Sequence, residues 1–256
     1  MKILLTISYD GTNYFGWQRQ KNVITVQQIV EEKLSLLLKK NIKITGASRT
    51  DAKVHALDQK ITFNIDFCPI PLEKFPLAIN NFLPKDIIIL KAEYMPENFH
   101  VRHDVFKKTY RYKILNSEFL IPIYNNYVWH IKNKLNKKII IDALPYFIGT
   151  KDFKSFCSAG SSAQSTIRTI YDFNVNFLRD FIIFEITGNG FLYNMIRIII
   201  STIIYAALGK INLSDINKIF AQKKRAAGIK TAPPQGLILT KISYKLDSSD
   251  KYFKRM

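Results

Sequence analysis

Between Gln59 and Phe67 the chain alternates, placing Ile61, Phe63, Ile65 and Phe67 on one face, the period-two mark of a half-buried strand. The same logic predicts strands over Lys2 to Tyr9, Asn41 to Ala47 and Asp86 to Tyr94. A helix is expected from Thr25, with Gln28 three residues on as a capping box. Val26, Ile29, Val30, Leu34, Leu37 and Leu38 fall on one face of it. Pro71 to Phe82 predicts a second helix. This half therefore reads β-α-β-β-α-β.

The order recurs in the second half. Lys107 to Leu115 predicts a strand, Lys137 to Gly149 a helix, and Thr166 to Phe177 with Phe181 to Ile186 a hairpin turning at Leu178-Arg179-Asp180. A long helix from Phe191, a shorter one over Leu213 to Lys224 and a strand over Leu237 to Leu246 complete it. The fold class expected is α+β: two split-βαβ (ferredoxin/RRM-like) domains with largely antiparallel sheets and an active-site cleft between them. The boundary falls near Asp104 to Lys107, giving units 1–105 and 106–256. Neither half carries the aromatic RNP1-like strand of a single-strand RNA reader.

Composition narrows the partners. The 256 residues are 47% hydrophobic and 13% aromatic, enough for sizeable cores and against disorder. Net charge is +18, from 38 basic and 20 acidic residues. Such a field attracts polyanions, so nucleic acid competes evenly with the bland reading of a lysine-rich solvated surface. Cys68 and Cys157 lie far apart and lack zinc-site spacing, so reduced thiols and a cytoplasmic setting are expected. The N-terminus reads as a strand and not as a signal peptide. The apolar run Ile198 to Leu208 would span only about 17 Å as a helix, against roughly 30 Å of hydrocarbon, and reads as a core helix.

Chemistry concentrates in Gly46-Ala47-Ser48-Arg49-Thr50-Asp51-Ala52-Lys53-Val54-His55-Ala56, a polar loop between two strands. Taken alone, Arg49-Thr50-Asp51 is more often an ordinary turn. Asp51 is its sole carboxylate, so paired-carboxylate hydrolysis is not suggested, whereas a lone Asp kept ionised by a cation can serve as nucleophile or base. Arg197 interrupts an apolar helix and needs an anionic partner if buried; the competing reading is that it snorkels or meets a carbonyl. Tyr110, Tyr112 and Ile114 share one strand face, Thr109, Arg111 and Lys113 the other. Tyr110 is a core or a base-stacking residue. The four histidines do not cluster, and each reads as structural or RNA-facing. Candidate phosphate contacts are Arg19, Lys21, Arg102, Lys107, Lys108, Lys151, Lys154, Lys223, Lys224 and Arg225, any of which is equally a solvated charge.

The loop resembles the Arg-Thr-Asp-Ala-Gly-Val-His-Ala signature of the tRNA pseudouridine synthase A family, and the likeness spans nearly the whole chain. Tyr9-Asp10-Gly11-Thr12 through Gly16-Trp17-Gln18-Arg19-Gln20 resembles the family's opening motif. Phe99-His100, Arg102 and Tyr110-Arg111-Tyr112 resemble the tyrosine segment, Asp152-Phe153, Phe156 and Arg168-Thr169-Ile170 two short motifs. Gly190-Phe191-Leu192 with Met195-Ile196-Arg197 resembles the arginine helix, and Thr231-Ala232-Pro233 with Gly236-Leu237 the closing motif. The resemblance implies Asp51, Tyr110 and Arg197 as catalytic residues. With the motif positions and the basic positions taken together, Arg49, Thr50, His55, Arg19, Arg102, Arg111, Lys107 and Lys108 are expected to bind substrate RNA.

By that resemblance the chain converts uridine to pseudouridine at positions 38–40 of a tRNA anticodon stem-loop. It acts as a homodimer, with no cofactor, metal or membrane. Arg197 would hold Asp51 ionised, and Tyr110 would stack on the uracil and accept its C5 proton. Ser48, Lys53, Lys151 and Ser201 depart from the family's usual Gly, Gly, His and Gly. Should Lys53 need a positive φ, it costs on the order of 1 kcal/mol. A non-catalytic RNA binder on the same scaffold and a base-releasing glycosylase are the alternatives.

Overall fold

The alternating N-terminal stretch forms strand β1 (Lys2–Tyr9), with Ile3, Leu5 and Ile7 wholly buried. The computed structural model describes residues 1–161, 163–225 and 228–245. Helix α1 (Val26–Leu38) starts at Thr25, whose hydroxyl accepts the Gln28 N–H at 3.4 Å. The Gln28 side chain turns to Glu32 and leaves the reciprocal half of the box unmade. Strand β2 is only Thr45–Gly46, shorter than expected. The reason is local: the Ile42 and Ile44 N–H groups donate to Ser35 and Glu31 of α1, so those donors are lost to the sheet.

Strand β3 (His55–Asn64) follows, then helix α2 (Phe75–Asn80) and strand β4 (Ile87–Met95). Helix α2 is half the predicted length because Pro76 lies in its first turn, where the missing N–H does no harm, and so marks its start. Next come β5 (Val105–Leu115), β6 (Trp129–His130), α3 (Lys137–Ala143), β7 (Gly149–Asp152), β8 (Ile167–Leu178) and β9 (Phe181–Gly188). Helix α3 stops before Pro145 and tightens into a 3₁₀ turn over Leu144–Phe147, which frees Gly149 to begin a strand where helix was expected. Helices α4 (Met195–Ala207) and α5 (Leu213–Gln222) and strand β10 (Leu237–Tyr244) complete the order. Leu246, the expected end of β10, lies outside the described residues.

The fold is mixed α+β with a largely antiparallel sheet. Among the described residues ten strands form it, in the order β4-β1-β3-β10-β5-β9-β8-β7, with β2 on β3 and β6 on β5. The last strand inserts between the halves: β10 runs parallel to β3 and antiparallel to β5. Leu239 consequently pairs with Ala56 on one side and Tyr110 on the other. The start of β3, where the polar loop ends, is thus held two strands from Tyr110.

Helix α4 is buried almost all round, which accounts for its unbroken apolar run. Among the described residues no helix is long and apolar enough to cross a membrane. Cys68 is buried and Cys157 half-buried, both free. Beneath the second half, Phe153 and Phe156 are wholly buried and pack with Phe220, the closest centroids 4.7 Å apart. Phe156→Ala removes the central ring and should cost about 3–5 kcal/mol. Its thermal midpoint should fall by roughly 10 °C in a melting experiment.

Candidate active site

The polar loop between β2 and β3 is fixed from beneath. Gln59, wholly buried on β3, accepts the Ser48 N–H at 3.1 Å and donates to the Ser48 carbonyl at 2.7 Å. The glycine-rich loop after β1 holds it from the side: Trp17 N–H donates to the Thr50 carbonyl and Lys53 N–H to the Tyr14 carbonyl, at 3.0 and 3.2 Å. That approach requires glycine at Gly16, whose φ is +90° and where a Cβ would lie 2.7 Å from the Thr50 oxygen. Asp51 then closes a turn, its carbonyl accepting Val54 N–H at 3.1 Å, with Lys53 at φ +63°. The left-handed conformation anticipated for Lys53 is therefore present, and the turn tolerates it.

Asp51 faces Arg197 from α4. Its Oδ2 accepts Arg197 Nη1 at 3.1 Å, with the two side chains 26% and 14% exposed. Arg197 Nε donates to the Ala232 carbonyl at 2.7 Å, and Nη1 also to Asn194 Oδ1 at 2.6 Å. Burial pushes the Asp51 carboxyl above its ordinary value, and the Arg197 guanidinium works against that rise. Arg197 limits the shift; it does not reverse it. Of the competing readings for Arg197, snorkelling does not hold, while the carbonyl contact is made, to Ala232, alongside the anionic partner.

Tyr110 on β5 stands in the same cleft, a cavity of about 730 Å³ shared with Asp51 and Arg197. Its hydroxyl lies 2.9 Å from Ser48 Oγ, and the edge of Phe191 meets its ring at 5.3 Å between centroids. Burial, with the Asp51 charge adding, raises its hydroxyl to about 12, so it is a phenol at neutral pH. Lys108, on the same strand face, donates to the Ala47 carbonyl at 2.8 Å; burial, with repulsion from Arg102 and Arg168, brings it down to about 8. Arg49, Arg102 and Arg168 also line the cleft.

The remaining predicted site residues lie elsewhere or do other work. Thr50 reaches the cleft wall, but its hydroxyl is engaged by Tyr9 at 2.8 Å. His55 is buried outside the cleft, its Nδ1 accepting Gly11 N–H at 3.0 Å and its Nε2 2.9 Å from the Asn126 carbonyl. Lys107 and Arg111 sit on the strand face opposite Tyr110, and Arg111 pairs with Glu185 at 3.0 Å. Arg19 pairs with Glu31 at 2.9 Å. Lys223 lies 3.7 Å from Asp152.

Reading the sequence missed Ser48, Phe191, Arg168 and Asn194 as members of the site. For Asn194 a signal was present: a polar residue three before Arg197 in an apolar run shares its helix face. Exposed Phe15 and Tyr193 stand at the mouth. The cleft joins one carboxylate, a fixed guanidinium, a phenol and several cations. That set can bind a phosphate-bearing ligand, present an aromatic face to its base and act on it through a carboxylate.

The tRNA pseudouridine synthase family model matches residues 5–104 and 143–245. A tRNA pseudouridine synthase A from Thermoanaerobacter sp. (strain X514) is 46% identical over 94% of this chain and 99% of its own length. One from Ruminiclostridium cellulolyticum is 47% identical over 95% and 99%, and tRNA pseudouridine synthase A 2 of Clostridium tetani 42% identical over 94% and 98%. Among solved structures, a chain of a Cbf5-Nop10-Gar1 complex aligns at a TM-score of 0.39 and 11% identity, covering 94% of this chain and 59% of that one. That likeness carries no weight.

Replacing Lys53 by Gly removes a left-handed backbone penalty of about 1–2 kcal/mol and adds about 0.5–1 kcal/mol of chain entropy to lose. K53G should therefore raise the thermal midpoint by roughly 2 °C in a melting experiment, and Lys53→Val should lower it.

Proposed function

The chain belongs to the tRNA pseudouridine synthase family, and from that premise we propose that it isomerises uridine to pseudouridine at positions 38–40 of the tRNA anticodon stem-loop, with Asp51 as the essential carboxylate. The observation that carries this reading is the 3.1 Å contact between Asp51 and Arg197 in a cleft shared with Tyr110. The reaction breaks the N-glycosidic bond, turns the uracil and joins C5 to C1′; C5 loses a proton and N1 gains one. Attack at C1′, attack on the base and removal of a ribose proton all begin from an ionised Asp51.

The target nucleotide must leave its stack to reach the carboxylate. Phe15 and Tyr193 offer exposed aromatic surface at the mouth, and the cations Arg49, Arg102, Lys108 and Arg168 line the wall for phosphates. Tyr110 stacks on the uracil and takes the C5 proton. A phenol does so only as its own proton moves on. That proton passes to Ser48 Oγ at 2.9 Å while the Ser48 hydroxyl releases its own to solvent in the cleft, so the serine is a relay and not the final acceptor. Lys107, Arg111 and Arg19 then contribute only through RNA lying beyond the cleft, and buried His55 only by bracing the loop after β1.

Asp51→Ala should abolish pseudouridine in an unmodified anticodon stem-loop, by at least about a thousandfold, while RNA affinity stays within a few fold. Pseudouridine mapping after incubation is the check. Activity retained in that variant defeats the assignment, an inert wild type leaves a pure RNA binder, and free uracil reveals a glycosylase. In the wild type the rate should rise with pH along an acid limb above the ordinary aspartate range. The sign follows from the raised Asp51: the active carboxylate forms only as pH climbs through that raised value.

The units 1–105 and 106–256 serve as the two walls of the cleft, the first bringing Asp51 and the second Tyr110 and Arg197. The working form is a cytoplasmic homodimer. Phe119 and Ile123, 75% and 72% exposed between β5 and β6, supply apolar surface of the kind a second copy covers. Sedimentation equilibrium should give twice the chain mass of 29.7 kDa, and a monomer at every concentration would refute the dimer.

A further inference from the structure

Asn194 sits at the N-cap of α4, where an asparagine ordinarily takes an extended backbone and accepts an N–H from the helix's first turn. It does neither. Its φ is +60°, and its side chain makes no cap hydrogen bond. The amide is turned instead onto two side chains. Its Oδ1 accepts Arg197 Nη1 at 2.6 Å, and its Nδ2 donates to Ser158 Oγ at 2.9 Å. Ser158 belongs to the segment after Cys157, which runs on to the cleft-lining Gly160 and Ser161, and its N–H donates to the Tyr193 carbonyl at 3.1 Å.

A residue that gives up a favoured backbone and a cap together marks a place where function outweighs local preference. We propose that Asn194 is a positioning residue for the isomerisation: it fixes the Arg197 guanidinium against Asp51 and ties that pair to Ser158 in the cleft wall. This rests on the isomerase reading above. Without the amide, Arg197 keeps Ala232 as its anchor through Nε, but Nη1 is steered toward Asp51 by that carboxylate alone. The Ser158 link makes the wall segment and the catalytic carboxylate one hydrogen-bonded chain, Ser158–Asn194–Arg197–Asp51. RNA settling against that wall then acts on the carboxylate through fixed contacts.

The groups facing Asp51 are Arg197 from α4 and the Tyr110 phenol from β5; the cleft's other charges, Arg49, Arg102, Lys108 and Arg168, are cations. An acid limb in the rate therefore reports on Asp51. Asn194→Gly is the informative variant, because glycine takes φ +60° without strain while deleting the amide. Its single-turnover rate on an anticodon stem-loop should fall about tenfold at unchanged RNA affinity. Its acid limb should move to higher pH, since a loosely held guanidinium opposes burial less. Ser158→Ala should shift rate and limb the same way by less. Asn194→Asp keeps the shape and the backbone preference while placing a carboxylate beside Arg197; it too should move the limb upward. Wild-type rate and pH profile in N194G overturn the proposal, as does a loss traced wholly to RNA affinity or, with N194D unchanged in profile, to folding. A wild-type protein that forms no pseudouridine fails the isomerase reading itself, which separates the two.

Discussion

A carboxylate cannot be held ionised in a half-closed cleft without a cation, and in this molecule the cation arrives from the other half of the chain. Asp51 comes from the loop between β2 and β3, Arg197 from the first turn of α4. Their 3.1 Å contact is possible because β10 runs between β3 and β5 and fixes the two walls in one sheet. The contact is poor evidence of stability, since desolvating two charges offsets most of their attraction. Asp51 shows the balance directly: burial outweighs Arg197 and leaves the carboxyl raised. On the proposed reading, the pair serves the reaction and not the stability of the fold.

The surrounding structure is correspondingly strained. Lys53 and Asn194 both adopt positive φ within a few residues of the pair, and Gly16 is pressed against Thr50. Neighbours hold each departure: Tyr14 accepts from Lys53 and Thr50 from Trp17 on the main chain, and Asn194 is held through its side chain by Arg197 and Ser158. Such positions cost about 1–3 kcal/mol each and persist only where their surroundings over-determine them. Gln59, wholly buried and bonded to both backbone groups of Ser48, is one such constraint.

Much of this was legible before the structure. Alternation placed β1, β4 and β9 closely, whereas β3 starts and ends earlier than the Gln59 to Phe67 run and leaves Phe67 exposed. The loop motif with the lone arginine of an apolar helix pointed to Asp51 and Arg197. Alternation along β5 also separated Tyr110 from Arg111, yet Arg111, by its motif, and Lys107, by its charge, were grouped with the RNA contacts; strand geometry puts them on the far face. His55 was adjacent in sequence and remote in role, because its ring is buried against Gly11 and Asn126. What stayed hidden was non-local or depended on a single dihedral. No pattern in Leu237 to Tyr244 announces a parallel partner in β3, and nothing in Asn194 announces its left-handed backbone. Short elements were misjudged where a side chain satisfied the backbone, as Glu31 and Ser35 do beside β2.

The cations divide into two kinds, and the division follows from what each faces. Arg102, Lys108 and Arg168 bond to main-chain carbonyls and crowd one another: Lys108 is depressed by burial and by both arginines, Arg102 by burial and by Arg49. Repulsion of this sort is relieved by an arriving polyanion, which makes RNA binding and protonation of Lys108 favour each other. The same polyanion must push the Asp51 carboxyl further upward, because it brings negative charge into a cleft that already penalises the carboxylate. Diffuse cations shared with phosphates cannot guard against that, since their charge is spent on the ligand. A guanidinium that stays with Asp51 has to be tied by other means. Arg197 is so tied, by Ala232 through Nε and by Asn194 through Nη1, and neither tether is a phosphate. On the proposed reading, the site can bind a polyanion and keep an anion active beside it because these two jobs fall to different cations.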